Sequence, residues 1–209
     1  MPTLTGIAPD PRQPGYRLVE VDRGRFASLP AEALDWLSLR VGAELAPAVL
    51  ERLRDLADVE AAQRAALRAL ARRAHAWRDL ERRLVRKQHP PAAVRAALER
   101  LAERGLLDDR GYAERYAALR ATRGKGPARI LADLLAQGVE RGVAEAAMGR
   151  ALEEEGIDPQ VEARAAATKR ARQLGELPPP VRRRRLLAFL VRRGYSGPQV
   201  KELVKELCG

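Results

Sequence analysis

LERRLVRKQHPPAAVRAAL at residues 80–98 returns as ILADLLAQGVERGVAEAAM at 130–148 and as LLAFLVRRGYSGPQVKELV at 186–204, at steps of 50 and 56 residues. With Leu80, Ile130 and Leu186 in register, apolar residues coincide at Leu84/Leu134/Leu190, Val85/Leu135/Val191 and Leu98/Met148/Val204. Positions i, i+4 and i+5 lay a broad apolar stripe along one side of a helix. Gly138 and Gly194 then offer the left-handed conformation that stops it. Gln88 stands at the same place in the first copy, which demands either a positive φ on a residue with a Cβ or a different helix end, so the first copy is expected to differ there. His89, Val139 and Tyr195 follow, also in register.

The chain next turns into a second striped helix, carrying Val94, Ala97, Leu98 and Leu101 in the first copy. One further helix is expected upstream of each aligned segment, at 60–73, 109–121 and 160–174. This makes three helical repeats, of three helices each, at 59–108, 109–158 and 159–209. Units of about fifty residues sit near the lower limit of independent stability, so neighbouring copies are expected to pack end to end into an elongated array. Local chemistry agrees: Gly105 closes one helix, Asp108 or Asp109 caps the next, and Gly126-Pro127 and Pro178-Pro179-Pro180 each restart the chain.

Residues 1–58 read as a small mixed β/α head. Val19 and Val21 run into Asp22-Arg23-Gly24 and then Phe26, a hairpin pattern, with Thr3–Ile7 as a third strand. Ser28 is placed to cap a helix carrying Leu34, Leu37 and Val41, and Trp36 reads as a core residue. A second helix is expected from near Pro47 to near Leu56.

The 209 residues are 46% hydrophobic and only 4% aromatic, rich in helix formers, which excludes a disordered tail and argues against a β-sandwich or a doubly wound sheet. The fold class is therefore mainly α. Lys and Arg number 39 against 28 Asp and Glu. The head holds 7 basic and 9 acidic residues, so the helical body carries all the excess. Such a body attracts a polyanion, nucleic acid above all, unless the arginines form only a solvated surface. Cys208 stands alone, which leaves no intramolecular disulfide, and no targeting segment or long apolar run is visible. A soluble, cytoplasmic monomer is the expectation.

The string Gly105-Leu106-Leu107-Asp108-Asp109, then Tyr112-Ala113, Tyr116, Arg120, Gly124-Lys125-Gly126-Pro127, Ile130, Leu134 and Gly138-Val139, closely resembles the middle repeat of the bacterial RecX regulatory proteins. FLVRRGYS at 189–196 is similar to that family's last repeat. The resemblance covers residues 60–207 strongly, and the head through Asp22–Phe26 and Val41-Gly42. The family's first repeat usually opens with an Arg-Pro-Arg-Ser-like stretch and ends its middle helix in Lys-Gly. This chain has Arg73-Ala74-His75-Ala76 and Lys87-Gln88 instead. The resemblance implies an elongated, curved, helical modulator of recombination and DNA repair, including the SOS response. Such a modulator binds the RecA recombinase filament on DNA and mainly inhibits its extension, strand exchange and ATP hydrolysis.

A catalytic reading fails on inventory. His75 and His89 have no Cys, Asp or Glu set at ligand spacing, and no metal or cofactor is expected. His89 reads as a half-buried packing or capping residue and His75 as a surface one. Gly124-Lys125-Gly126-Pro127 lacks the first Gly and the Ser/Thr of a phosphate loop, and its Pro removes a needed N–H. The candidate RecA- and DNA-binding residues are basic: Arg82, Arg86 and Lys87 in the first copy, Arg120, Arg123, Lys125 and Arg129 in the second, and Arg182, Arg185, Arg192 and Arg193 in the third. Tyr112 and Tyr116, at i and i+4, read as packing within a repeat. The rival reading is a helical DNA-binding transcription or architectural factor, recognised by sequence-specific binding to naked duplex.

Overall fold

Tyr16, Leu18 and Glu20 alternate with Arg17, Val19 and Val21 along a strand whose only fully buried side chain is Val19, the pattern of a sheet with one face on a core. In the computed structural model, which describes residues 1–208, strands β1 (Leu4–Pro9), β2 (Tyr16–Val21) and β3 (Gly24–Pro30) form an antiparallel meander. Asp22 and Arg23, the two residues between β2 and β3, both take positive φ, as the twist of a two-residue hairpin requires. Leu4, Val19 and Leu29 bury against Leu34, Leu45 and Leu53.

The rest is helical: α1 (Ala31–Asp35), α2 (Pro47–Leu70), α3 (Trp77–Arg86), α4 (Pro91–Glu103), α5 (Asp109–Ala121), α6 (Pro127–Ala136), α7 (Arg141–Glu154), α8 (Pro159–Leu174), α9 (Pro179–Arg193) and α10 (Pro198–Cys208). The chain divides into two compact units, one of Met1–Ala74 with Leu80–Leu107, the other of His75–Asp79 with the chain from Asp108 onward. In the first, α2 packs on β3 and α4. In the second, α5, α6 and α7 share one core and α8, α9 and α10 another. No helix among the described residues is long and apolar enough to cross a membrane.

Four sequence expectations need correction. Ser28 caps nothing: it lies buried in β3 and its hydroxyl donates to Asp10 at 2.6 Å. The helix after it stops at Asp35, one turn long, so the Leu34, Leu37, Val41 stripe never forms and Trp36 is 90% exposed instead of core. The helices expected at 47–56 and 60–73 are one 24-residue helix, α2, because no breaker separates Leu56 from Ala61. His75 is buried, not on the surface, and its Nδ1 lies 2.7 Å from Asp79 Oδ2.

The three aligned helices end identically. His89 N–H bonds Leu84 O and Gln88 N–H bonds Val85 O; Val139 with Leu134 and Gly138 with Leu135 repeat this, as do Tyr195 with Leu190 and Gly194 with Val191. This is the Schellman closure, and the register of His89, Val139 and Tyr195 is the register of its C″ residue. Gln88 adopts φ 68°, the strained alternative, at an exposed position. Gly138 and Gly194 are glycines for a second reason. A Cβ on Gly138 would stand 2.4 Å from Arg78 Cβ, and one on Gly194 would stand 2.4 Å from Arg129 N.

Two predictions belong to α7. Gly149 sits inside this helix facing open space, with nothing within 4 Å of where a Cβ would stand. Gly149→Ala is therefore expected to stabilise by about 0.5–1 kcal/mol through helix propensity, read as a raised urea midpoint. Glu140 is the N-cap: its carboxylate accepts the N–H of Gly142 at 2.9 Å and of Val143 at 3.0 Å, which holds its pKa below the usual glutamate value. A depressed carboxylate pKa contributes stability above the unfolded value, about 4.3, and loses it as pH falls through the folded one. Glu140→Gln is expected to flatten the acid limb of the melting temperature below about pH 4.5.

Candidate functional site: a cationic junction

Proline at the first position of α6, with Gly126 before it, frees the preceding backbone to bond elsewhere. Gly126 N–H donates to Arg193 O at 2.7 Å and Ala128 N–H to Gly194 O at 3.2 Å, so the start of α6 is stitched to the end of α9. The same kind of junction joins the start of α3 to α5 and α6. Asp109 accepts the Trp77 N–H at 2.6 Å, and Arg78 closes over Gly138. Burial raises the Asp109 pKa, while that backbone bond opposes the rise. Asp108 is the cap of α5, accepting from Arg110 and Gly111, so the acidic pair divides into one cap and one junction contact.

The α6–α9 junction gathers basic residues from two repeats. It sets the Arg123-Gly124-Lys125 turn beside the end of α9, where Arg193 Nη1 comes within 3.5 Å of where a Gly124 side chain would begin. Arg193 is held over the Phe189 ring at 5.0 Å, and Arg170 from α8 approaches the same ring at 5.6 Å. Residues 163–201 carry eleven basic side chains and one acidic, Glu176. Arg182, Arg183, Arg184 and Arg185 occupy the start of α9 with no acidic residue in its first turn, where the helix dipole disfavours cations by a few tenths of a kcal/mol each. This concentration of charge works against the helix that bears it.

The candidates are not equivalent. Arg123, Arg185 and Arg192 are exposed and have no acidic partner among the described residues. Arg129 is ion-paired with Asp133 at 2.9 Å, and Arg120 lies 4.9 Å from the centre of the Tyr116 ring. Arg182 reaches the Gly175 carbonyl at 3.4 Å. Arg182 and Arg185 sit about 10–15 Å of helix from Arg192 rather than in the junction. Arg82 and Arg86 lie on the exposed side of α3, away from Leu80 and Leu84, and Lys87 follows the helix, also exposed; all three are in the other compact unit. Sequence reasoning passes over Arg170, whose place depends on how α8 packs on α9. It also passes over Arg183 and Arg184, which the four-arginine run displays openly.

The aromatics take no part. Tyr112 is buried and its hydroxyl bonds Gln137, while the Tyr116 hydroxyl bonds Asp133 at 3.1 Å; the two rings stack within the repeat. No group of three or more His, Cys, Asp or Glu among the described residues is arranged to hold a metal ion. Ion pairs elsewhere, Arg164 with Glu206 at 2.7 Å and Arg150 with Glu114 at 2.8 Å, take other arginines out of contention.

Comparison with known proteins agrees with this architecture. Residues 108–148 match the second three-helix domain of RecX, and residues 158–204 match the third. The regulatory protein RecX of Halorhodospira halophila is 42% identical over 144 residues, covering 68% of this chain and 85% of that protein. That of Ectopseudomonas mendocina is 38% identical over 146 residues, covering 69% and 93%. A crystal structure of regulatory protein RecX superposes with a TM-score of 0.71 at 22% identity, covering 99% of this chain and 100% of that one. RecX from Lactobacillus salivarius gives 0.57 at 22% identity over 72% and 96%. From its repeated helical closures to these shared three-helix domains, the chain belongs to the RecX family of regulatory proteins.

Proposed function

We propose that the protein binds the RecA recombinase filament on DNA and mainly inhibits its extension and ATP hydrolysis, acting without catalysis of its own. The observation that carries this reading is the cationic junction in a chain of the RecX family: Arg123, Lys125, Arg192 and Arg193 come from two successive repeats and are brought together by backbone bonds. In this reading the head is residues 1–58 and the binding modules are 59–108, 109–158 and 159–209.

Each module binds weakly, and linkage raises the effective concentration of the next contact on the adjacent protomer. Inhibition then requires tighter binding to one filament state than to another, since equal affinity shifts nothing. Filament-bound DNA phosphates are the anions closest to hand, and binding through them is salt-sensitive and indifferent to sequence. The scarcity of exposed aromatics at the junction argues against base stacking.

The test is a titration of RecA on DNA with the protein, read by DNA-dependent ATPase and strand exchange, beside a salt series on bare DNA. A fall in both activities at concentrations that leave bare DNA unbound is expected. Activities untouched at micromolar excess would contradict the reading.

A further inference from the structure

In a chain this basic, one cleft carries more acid than base: Glu32, Glu60 and Glu103 line it beside Arg100 and Arg104. Its volume is about 520 Å³, within the size range of small-ligand sites, and it lies between the sheet edge, α1, α2 and α4 of the first unit. Glu60, 2% exposed, is already satisfied there: the Tyr16 hydroxyl donates to it at 2.9 Å and Arg100 at 3.0 Å. Burial and that carboxylate push the Tyr16 phenol up, so Tyr16 remains a donor.

Three groups in the same cleft are not satisfied. Gln63 is 6% exposed and its Oε1 has no hydrogen-bond partner, a costly state for a buried acceptor. Glu32 and Glu103 on the rim have no ion partner among the described residues. Trp36, 90% exposed, offers an indole face that packs on nothing. A stray exposed tryptophan is ordinary on its own. Beside an orphaned buried acceptor and two unpaired carboxylates it makes a set.

We infer that this cleft binds an arginine side chain presented by a partner polypeptide. A guanidinium stacks on an indole while its five donors meet carboxylate and amide oxygens in one plane. A lysine ammonium would use the acceptors but stack poorly. A nucleotide would use the indole but bring phosphate against Glu32 and Glu103, which outnumber Arg104, the arginine of the cleft that is not paired with Glu60. The cationic junction takes no part in this contact, so the two sites stand or fall separately.

The test follows the two tryptophan indole N–H resonances by NMR, with Trp36→Phe assigning the first. The titrant is the blocked peptide Gly-Ala-Arg-Ala-Gly, and its citrulline analogue keeps the shape without the charge. The arginine peptide is expected to shift the Trp36 resonance saturably and leave Trp77 unmoved. The citrulline peptide, and the arginine peptide on E32Q/E103Q, are expected to bind at least about tenfold more weakly. Equal binding of the two peptides to the unaltered protein would overturn the inference, as would a double variant that binds like the original. A Trp36 shift caused by a short oligothymidylate and not by the peptide would overturn it in favour of base stacking.

Discussion

Gly194→Ala is expected to cost about 2–5 kcal/mol of stability, while Gly105→Ala costs only about 1 kcal/mol. Both glycines end a helix at positive φ, 95° and 68°, so both substitutions meet the left-handed penalty of about 1–2 kcal/mol. Only Gly194 also meets another repeat. Its new Cβ would stand 2.4 Å from Arg129 N and 2.7 Å from Gly126 O, backbone atoms that cannot swing aside, whereas nothing lies within 4 Å at Gly105. Overpacking of this kind adds roughly 1–3 kcal/mol. Thermal melts should separate the variants by several degrees, at roughly 2–4 °C per kcal/mol for a chain of this size. Equal melting temperatures would mean that the α6–α9 junction contributes nothing to stability.

The second large effect concerns charge. Replacing Arg123, Lys125 and Arg192 together by glutamine removes three cations of the junction and its surroundings. None is ion-paired within the described residues, so the melting temperature should barely move. If each neutralises a phosphate on duplex DNA, the slope of log affinity against log salt should fall by about 2.7, at roughly 0.9 per contact. Affinity near 0.1 M salt should then fall by a factor on the order of several hundred. An unchanged slope would show that these residues meet something other than phosphate.

The repeats are legible in the sequence because helix closure leaves a mark. Leu84, Leu134 and Leu190 offer their carbonyls to the same backbone turn, and Gly138 and Gly194 are visible choices for the αL residue it needs. Gln88 is legible only in part: it takes the strain of a positive φ, but the first copy keeps the common closure where a difference is expected. The head is half legible. The hairpin follows from Asp22-Arg23-Gly24, but the bond of Ser28 to Asp10, eighteen residues away, leaves no local mark in the sequence. His75 misleads for a similar reason: its burial is made acceptable by Asp79, a partner on the next turn whose role shows only once the helix is packed.

The candidate site is legible by residue type and not by grouping. The arginines of 120–129 and of 192–193 are far apart in sequence, and only the bonds from Gly126 and Ala128 to the end of α9 make neighbours of them. Arg129 reads as a free cation until Asp133, one turn on, is recognised as its partner and not merely as a residue of the same helix. Trp36 reads as core only if its stripe continues, and its exposure is what places it in the cleft with Glu32, Glu60 and Glu103.

The most direct measurement of the filament reading is RecA extension on tethered DNA, watched by fluorescence, with the intact protein and the Arg123/Lys125/Arg192 glutamine variant at matched concentrations. The intact protein is expected to halt extension, and the variant to need at least about a hundredfold more, the shift that follows from about 2.7 kcal/mol of lost binding. Extension halted equally by both proteins, or by neither, would contradict it.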